Sequence, residues 1–379
     1  MLPPLKRSTA RSSSPRPRWL PYAAGSLAVL LAAAIVFGLT HSGGISATVP
    51  ASSSGGQPAP EFAGIVDWEN SQPLTMSALR GRVVLVDFWT YSCINCQRTF
   101  PYLRQWQKSY ASQGLVIVGV HSPEFEFEKD VGNVRQAVRH YDVTWPVAVD
   151  PQMATWNAYN NQYWPAEYLV DKDGRIVHTH FGEGEYDVTE QKIRDLLKAA
   201  GHSVGAAGAA SIDPGLTNDA QLQTAELYAA APRGFDIPDA VANALHVYRD
   251  PGAGAAAHRQ NNKIYWNGTW TIGDEFAEHP VDSAAGQDYF LIDYQARLVH
   301  MVAQGSGGAR RAYLTLDGAD LKPAEAGPEV KFDAAGHAYI DVDRSDLYTL
   351  VKRQDFGEHV LKVSPVSPGF RLFTFTFGS

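Results

Sequence analysis

The sequence predicts an α/β domain on a mixed sheet followed by an all-β antiparallel sandwich of jelly-roll-like type, with one transmembrane helix ahead of both. Three observations carry this reading. Between residues 83 and 200, short β-branched apolar runs alternate with stretches of helical period, as when strands interleave with helices. Beyond residue 236 come short alternating runs separated by turn signals. Near the start, the 21 residues from Trp19 to Leu39 carry no charge. At ~1.5 Å per residue they reach across a bilayer core of about 30 Å.

The chain has 379 residues, 45% hydrophobic and 11% aromatic, with a formal net charge of −8 and 2 cysteines. Two domains suit that length. So apolar a chain can bury a core, which excludes disorder over most of it. Two cysteines exclude a disulfide-stapled scaffold, and within one chain a four-cysteine zinc site or cysteine-ligated iron–sulfur cluster. The negative charge argues against a nucleic-acid partner.

Residues 1–18 hold Lys6, Arg7, Arg11, Arg16 and Arg18 and no acid; the first acid is Glu61. Basic residues ahead of an apolar span favour a cytoplasmic N-terminus. The expected order is a basic cytoplasmic segment (1–18), a transmembrane helix (19–39) and a flexible linker (40–58) rich in Ser, Gly, Ala and Pro. A cleaved signal peptide is the competing reading. Its small-residue site, Val49-Pro50-Ala51, lies far beyond the apolar run. Under either reading the globular part faces an extracytoplasmic space at the cell membrane.

The α/β domain is expected over 59–201. Residues 83–90 (VVLVDFWT) read as a buried central strand. Cys93-Ile94-Asn95-Cys96 follows, and then Phe100, Leu103, Trp106 and Tyr110 recur at helical spacing. Cys93 therefore stands at a helix start, where free N–H groups and the helix dipole favour an anion. A three-residue offset there lets two sulfurs meet. The exposed first cysteine can attack a disulfide, and the more buried second can resolve the mixed disulfide. The remaining elements are strands at 115–120, 146–149, 167–170 and 175–181, and helices at 133–141 and 188–200.

Asp87 lies inside the apolar strand. A buried carboxylate tends to keep its proton near neutrality and can take one from Cys96 as that thiol attacks. An edge aspartate that caps a turn is the alternative. The cysteine pair is a poor structural staple, because so short a loop constrains the unfolded chain little. His121 is a lone histidine, more often hydrogen-bonded than metal-bound. No metal site and no cofactor beyond a redox-active Cys93–Cys96 disulfide is expected.

These residues carry a family resemblance. Val86-Asp87-Phe88-Trp89 before CxxC, with Pro101 five positions after the second cysteine, resembles thioredoxin. Tyr163-Trp164-Pro165 resembles the cis-proline loop of that family. FWTYSCINCQRTFPYL, VGVHSPEFEFEKD and NQYWPAEYLVDKDG are similar to the thioredoxin-like (redoxin/TlpA-like) part of DipZ-type proteins. The resemblance implies a cis bond at Pro165, with the backbone of Trp164 presented to a substrate strand. Trp89 and Trp164 are read as the apolar rim of the site, with ordinary core packing of either as the alternative. Ile94-Asn95 departs from the Gly-Pro of general reductants, so the direction of electron flow stays open.

After a Gly/Ala-rich linker at 202–216, residues 217–379 are expected to form the sandwich. Its strands are 265–272, 289–296, 298–303, 312–316, 338–342, 359–363 and 371–377, with 345–351 leading into the last pair. TWTIGDEF, RRAYLTLDG, DLYTLVKR and FRLFTFTFG resemble the C-terminal domain of DipZ-type proteins, which is similar to a carbohydrate-binding module. Trp266 and Trp270 are possible glycan-binding residues, since aromatic faces can stack on sugars, but packing in the sandwich core is the reading favoured for both.

The expected function is a membrane-anchored thiol–disulfide oxidoreductase acting on protein thiols and disulfides. Apocytochrome c maturation or general disulfide reduction are the settings implied. DipZ-type proteins carry a CcdA-like multispan domain; with one span here, the resemblance implies a separate membrane electron donor. The alternative is a surface glycan-binding or adhesion protein with a structural thioredoxin-like domain.

Overall fold

Residues Val83–Trp89 have a single polar side chain, and strand geometry sends successive side chains to opposite faces. Such a run is stable only with both faces covered, and that requirement organises the first domain. The computed structural model describes residues 56–205, 223–233, 237, 240–252 and 260–378. The expected transmembrane helix at 19–39, the linker up to residue 55 and most of the 202–216 linker lie outside the described residues. Among the described residues no helix is long and apolar enough to cross a membrane.

The α/β domain runs β1 (Gln57–Pro58), β2 (Asp67–Glu69), β3 (Val83–Trp89), α1 (Ile94–Tyr110), β4 (Leu115–His121), α2 (Val131–His140), β5 (Val147–Val149), α3 (Ala154–Ala158), β6 (Ala166–Val170), β7 (Arg175–Phe181) and α4 (Tyr186–Ala199). The sheet order is β1-β7-β6-β3-β4-β5-β2. β3 pairs parallel to β4 and antiparallel to β6. Val83, Leu85 and Trp89 pack with α1, α2 and α4, whereas Val84, Val86 and Phe88 pack with α3 and the segment before β3. By alternation Asp87 lies on the α1 side.

The second domain holds β8 (Leu227–Tyr228), β9 (Leu245–Tyr248), β10 (Ile264–Ile272), β11 (Ala277–His279), β12 (Tyr289–Gly305), β13 (Arg310–Leu316), β14 (Ala319–Asp320), β15 (Lys331–Phe332), β16 (Ala338–Val342), β17 (Asp346–Pro365) and β18 (Phe370–Gly378). Every pairing between these strands is antiparallel. The expected strands 289–296 and 298–303 are one strand, β12, with a register shift between Ala296 and Leu298. The sequence shows only a lapse in alternation there, which a bulge produces as readily as a turn. Residues 346–351 of the expected 345–351 segment and the expected strand 359–363 likewise both belong to β17.

Trp266 and Trp270 are not surface aromatics. They are 3% and 0% exposed, 4.7 Å apart between ring centres, and both lie against Phe290. The Trp270 indole N–H donates to the Asn267 carbonyl (2.9 Å). Neither ring offers a face to a sugar: both pack the core, the reading favoured from the sequence, and the possible glycan-binding role of Trp266 and Trp270 is set aside. The cause is β10's position against β12, with these side chains turned into the core.

The two domains share apolar contacts. β18 pairs Thr374 with Val302 and Leu372 with Ala303, so Phe373 is the extra residue of a bulge. Leu372 and Phe375 join the core of the second domain, whereas Phe373 joins the core of the first. There its ring meets Phe125 (5.1 Å) and Phe127 (4.8 Å) edge-on. Val302 and Leu347 join the same cluster. Tyr141 Oη–H donates to Asp346 Oδ1 (3.1 Å) across the same boundary.

Candidate active site

The chain leaves β3 at Trp89, turns through Thr90–Ser92 and enters α1 at its N-cap, Cys93. Cysteine serves here as a cap: Cys93 Sγ accepts the Cys96 N–H at 3.3 Å. Cys96 and Ile94 are buried and Phe100, Leu103, Trp106 and Tyr110 continue the buried stripe, which fixes the helix on the sheet. Pro101 lies inside the helix, where it removes one backbone N–H. Both thiols are free, Cys93 half-buried and Cys96 fully buried. Burial, then the neighbouring Cys93 sulfur, pushes the Cys96 thiol well above its ordinary pKa. Asp87 acts on it in the same direction, so the two groups are electrostatically in contact.

Asp87 is 0% exposed, and neither carboxyl oxygen has a hydrogen-bond partner among the described residues. Burial raises its pKa well above the usual carboxylate range, and Glu167 adds to the effect. Glu167 stands directly across the β3–β6 ladder from Asp87. It too is buried, and burial raises its pKa to about 7 against an opposing influence from Thr189. Two buried carboxyls therefore face each other beneath the active-site helix.

The Trp164–Pro165 peptide is cis. The loop before it is pinned by the Trp164 indole N–H to the Ser122 carbonyl (2.9 Å) and by the tilted contact of the Trp164 ring with Trp156 (4.2 Å between centres). Trp164 borders the cleft into which Cys93 opens. Trp89 does not, which corrects its assignment to the rim: at 0% exposure it lies edge-on to Phe100 and His121, under α1. Gly119 on β4 makes room for it, since a Cβ there would meet the indole nitrogens of Trp89 and Trp145 at 2.8 and 2.9 Å. His121 is buried, and burial lowers its pKa to about 3, so it stays neutral.

Three contributions escaped the sequence reading. Glu128, fully buried, accepts from Ser92 Oγ (2.6 Å) and from the backbone N–H groups of Glu124 (2.7 Å) and Phe125 (2.9 Å). It clamps the turn before Cys93 to the segment that carries Phe125 and Phe127. Its pKa is raised to about 7, burial outweighing these hydrogen bonds. Hydrogen bonds to a charged acceptor contribute ~1.5–3 kcal/mol each. Glu128→Ala is expected to destabilise the fold by at least about 2 kcal/mol and to speed amide hydrogen exchange at Glu124 and Phe125. Unchanged exchange there would show that the clamp holds nothing. Second, Arg98 on α1 is buried and pairs with Glu183 (3.3 Å), in the loop between β7 and α4. Third, the second domain supplies one wall of the cleft.

That cleft has a volume of about 270 Å³. Its floor is Ser92–Asn95 with Glu124 and Phe125, and the cis-proline loop (162–164) is one side. The other side comes from the second domain: Glu226, Tyr228, Val302, Thr374 and Thr376.

Known proteins are similar to both parts of the chain. Residues 54–197 match the redoxin family model, and residues 228–378 match the model described as a thioredoxin-like C-terminal domain. The chain is 35% identical to protein DipZ of Mycobacterium tuberculosis over 326 residues, which is 84% of this chain and 43% of that protein. It thus spans less than half the length of that relative. It is also 30% identical to the thiol-disulfide oxidoreductase YkuV of Bacillus subtilis over 141 residues, 37% of this chain and 95% of YkuV. Identity to the thiol-disulfide oxidoreductase ResA of Bacillus cereus is 30%, covering 37% of this chain and 78% of ResA.

Proposed function

We propose that this chain, which belongs to the redoxin family of thioredoxin-like proteins, is a thiol–disulfide oxidoreductase working through Cys93 and Cys96. One observation carries the reading: a half-buried sulfur caps a helix and accepts the N–H of a second, fully buried cysteine at 3.3 Å. In the reducing direction, the Cys93 thiolate attacks one sulfur of a partner disulfide. A mixed disulfide forms and the partner's other sulfur leaves as thiolate. Cys96 then gives its proton to the Asp87 carboxylate and attacks Cys93 Sγ. The Cys93–Cys96 bond forms, and the partner's second sulfur leaves as thiolate. The partner has gained two electrons and the dithiol has lost two. The reverse sequence oxidises a partner dithiol.

The raised pKa of Asp87 supports its role, since a carboxylate that binds its proton tightly is the stronger base. The high pKa of Cys96 means that it attacks only when a base removes its proton.

Cys96→Ser is expected to accumulate a mixed disulfide between Cys93 and its protein partners, visible on non-reducing gels and absent from a Cys93→Ala, Cys96→Ser double variant. If the single variant traps nothing and the wild-type dithiol exchanges with no small disulfide, the oxidoreductase reading fails.

The finer reading places this site outside the cytoplasm, anchored through residues 19–39, with a separate CcdA-like membrane protein restoring the dithiol. Apocytochromes c and general envelope disulfides are the proposed partners. Labelling of Cys93 in intact cells by a membrane-impermeant thiol reagent tests the location.

A further inference from the structure

We infer that the proton taken from Cys96 leaves along a row of ionisable side chains, Asp87, Glu167 and His180, which crosses the sheet from beneath the cysteines to the molecular surface. The inference rests on the oxidoreductase reading and deepens it, by giving two further residues a part in the resolving step. Asp87 and Cys96 are both fully buried, and a partner held in mixed disulfide at Cys93 covers the cleft side. The proton needs another way out.

The register supplies it. Strands β3, β6 and β7 are neighbours in the sheet. Asp87 stands directly across from Glu167, and Glu167 directly across from His180. Directly opposed residues point to the same face of a sheet, with Cβ atoms about 4.5–5.5 Å apart. The three side chains therefore share the face that carries α1. All four carboxyl oxygens of Asp87 and Glu167 lack a hydrogen-bond partner among the described residues, and so does His180 Nε2, which is buried. Ionisable groups buried in this way are costly, so a pair of them opposed beneath the cysteines marks a use. The row ends in the open. The His180 side chain is 12% exposed, and its Nδ1 lies 3.6 Å from Glu185 Oε2, on a side chain 67% exposed. One ring nitrogen is thus enclosed and the other faces an exposed acid. An imidazole can accept a proton on the first while releasing one from the second.

Cys96 Sγ–H gives its proton to the Asp87 carboxylate as the sulfur attacks Cys93. Asp87 passes it to the Glu167 carboxylate and is ionised again. Glu167 passes it to His180 Nε2, and His180 releases its Nδ1 proton to Glu185 or to water. No electrons move along the row, and each member ends with as many protons as it began with. Buried polar atoms unpaired within a protein are ordinarily bridged by water, and a water between neighbouring members closes each gap. Burial raises the Glu167 pKa to about 7, where a carboxyl both takes and gives a proton at neutral pH.

The test mixes the full chain in its reduced form with dipyridyl disulfide, which releases one light-absorbing thiopyridone when Cys93 attacks and a second when Cys96 resolves. Glu167→Gln and His180→Ala are each expected to leave the first release unchanged and to slow the second by roughly tenfold, a smaller loss than removal of the base itself. Imidazole added to the buffer is expected to restore the second release in His180→Ala. Pyrazole, a ring of the same size and a far weaker base, is expected not to. His178, two positions along β7, stands across from Leu169 instead of an acid, and His178→Ala is expected to leave both releases as in the wild type. A second release at the wild-type rate in Glu167→Gln or His180→Ala, restoration by both rings alike or by neither, or an equal slowing in His178→Ala overturns the inference, while two releases from the wild type keep the oxidoreductase reading. No release from the wild type overturns both.

Discussion

Asp87→Asn is expected to leave the first attack by Cys93 in place and to slow the resolving attack by Cys96 by roughly 10²-fold, the lower end of what a positioned base contributes. The reason is local. Cys96 is fully buried and its thiol holds its proton well above the ordinary range. Water cannot take that proton efficiently in a site with no exposure. Asp87 can, because it shares the α1 side of the sheet and its field already acts on Cys96. Rapid-quench measurement of mixed-disulfide decay separates the two steps. Decay as fast as in the wild type would remove Asp87 from the mechanism.

The same substitution is expected to make the protein more stable at alkaline pH. Asp87 and Glu167 both titrate higher in the folded chain than in the unfolded one. Between its two pKa values each group is more protonated folded than unfolded, so stability falls as pH rises through that window. Below the unfolded values the stability is undiminished. For Glu167 the window runs from 4.5 to about 7. Glu167→Gln is therefore expected to gain up to about 3 kcal/mol at pH 8 and nothing at pH 4. Urea unfolding at the two pH values reads this directly. Because the two carboxyls face each other, whichever ionises first makes the other harder to ionise. Their substitutions are expected to be non-additive, with the double variant gaining less than the two single gains together.

What the sequence made legible is what lies close along the chain. The strand at 83–90, the cysteine pair at a helix start and the following helix are fixed by residues within about four positions of one another. Asp87 stood out because charge is rare in such a run. Glu167 did not: its importance comes from the β3–β6 register, which pairs it with a residue eighty positions earlier. Glu128 sits among alternating phenylalanines and acids, and nothing local distinguishes the acid that turns inward from Glu124 and Glu126. Helix α3 spans five residues, too few to show a period. In the second domain, the aromatic run FRLFTFTFG marks a strand but hides the bulge that turns Phe373 outward. The assignment of Trp89 to the rim failed for a related reason. A tryptophan two positions from a turn can face the cleft or the core, and only the position of α1 over β3 decides.

Phe373→Ala is expected to cost about 3–5 kcal/mol, the usual penalty for emptying a buried phenylalanine site. The side chain is 1% exposed and touches Phe125, Phe127 and Phe276. The manner of loss carries more than its size. Glu128 holds the N–H groups of Glu124 and of Phe125 itself, and it also holds Ser92, one residue before the attacking cysteine. A ring from the second domain thus supports the turn that presents Cys93. If the domains fold as one unit, Phe373→Ala shifts a single cooperative unfolding transition, and Cys93 becomes more reactive to a bulky thiol reagent as the cleft wall loosens. If they are independent, two transitions are seen and only that of the second domain moves, with Cys93 reactivity unchanged. The first outcome is expected, because Val302 and Leu347 are buried in the same cluster as α1 and would otherwise leave apolar surface in water.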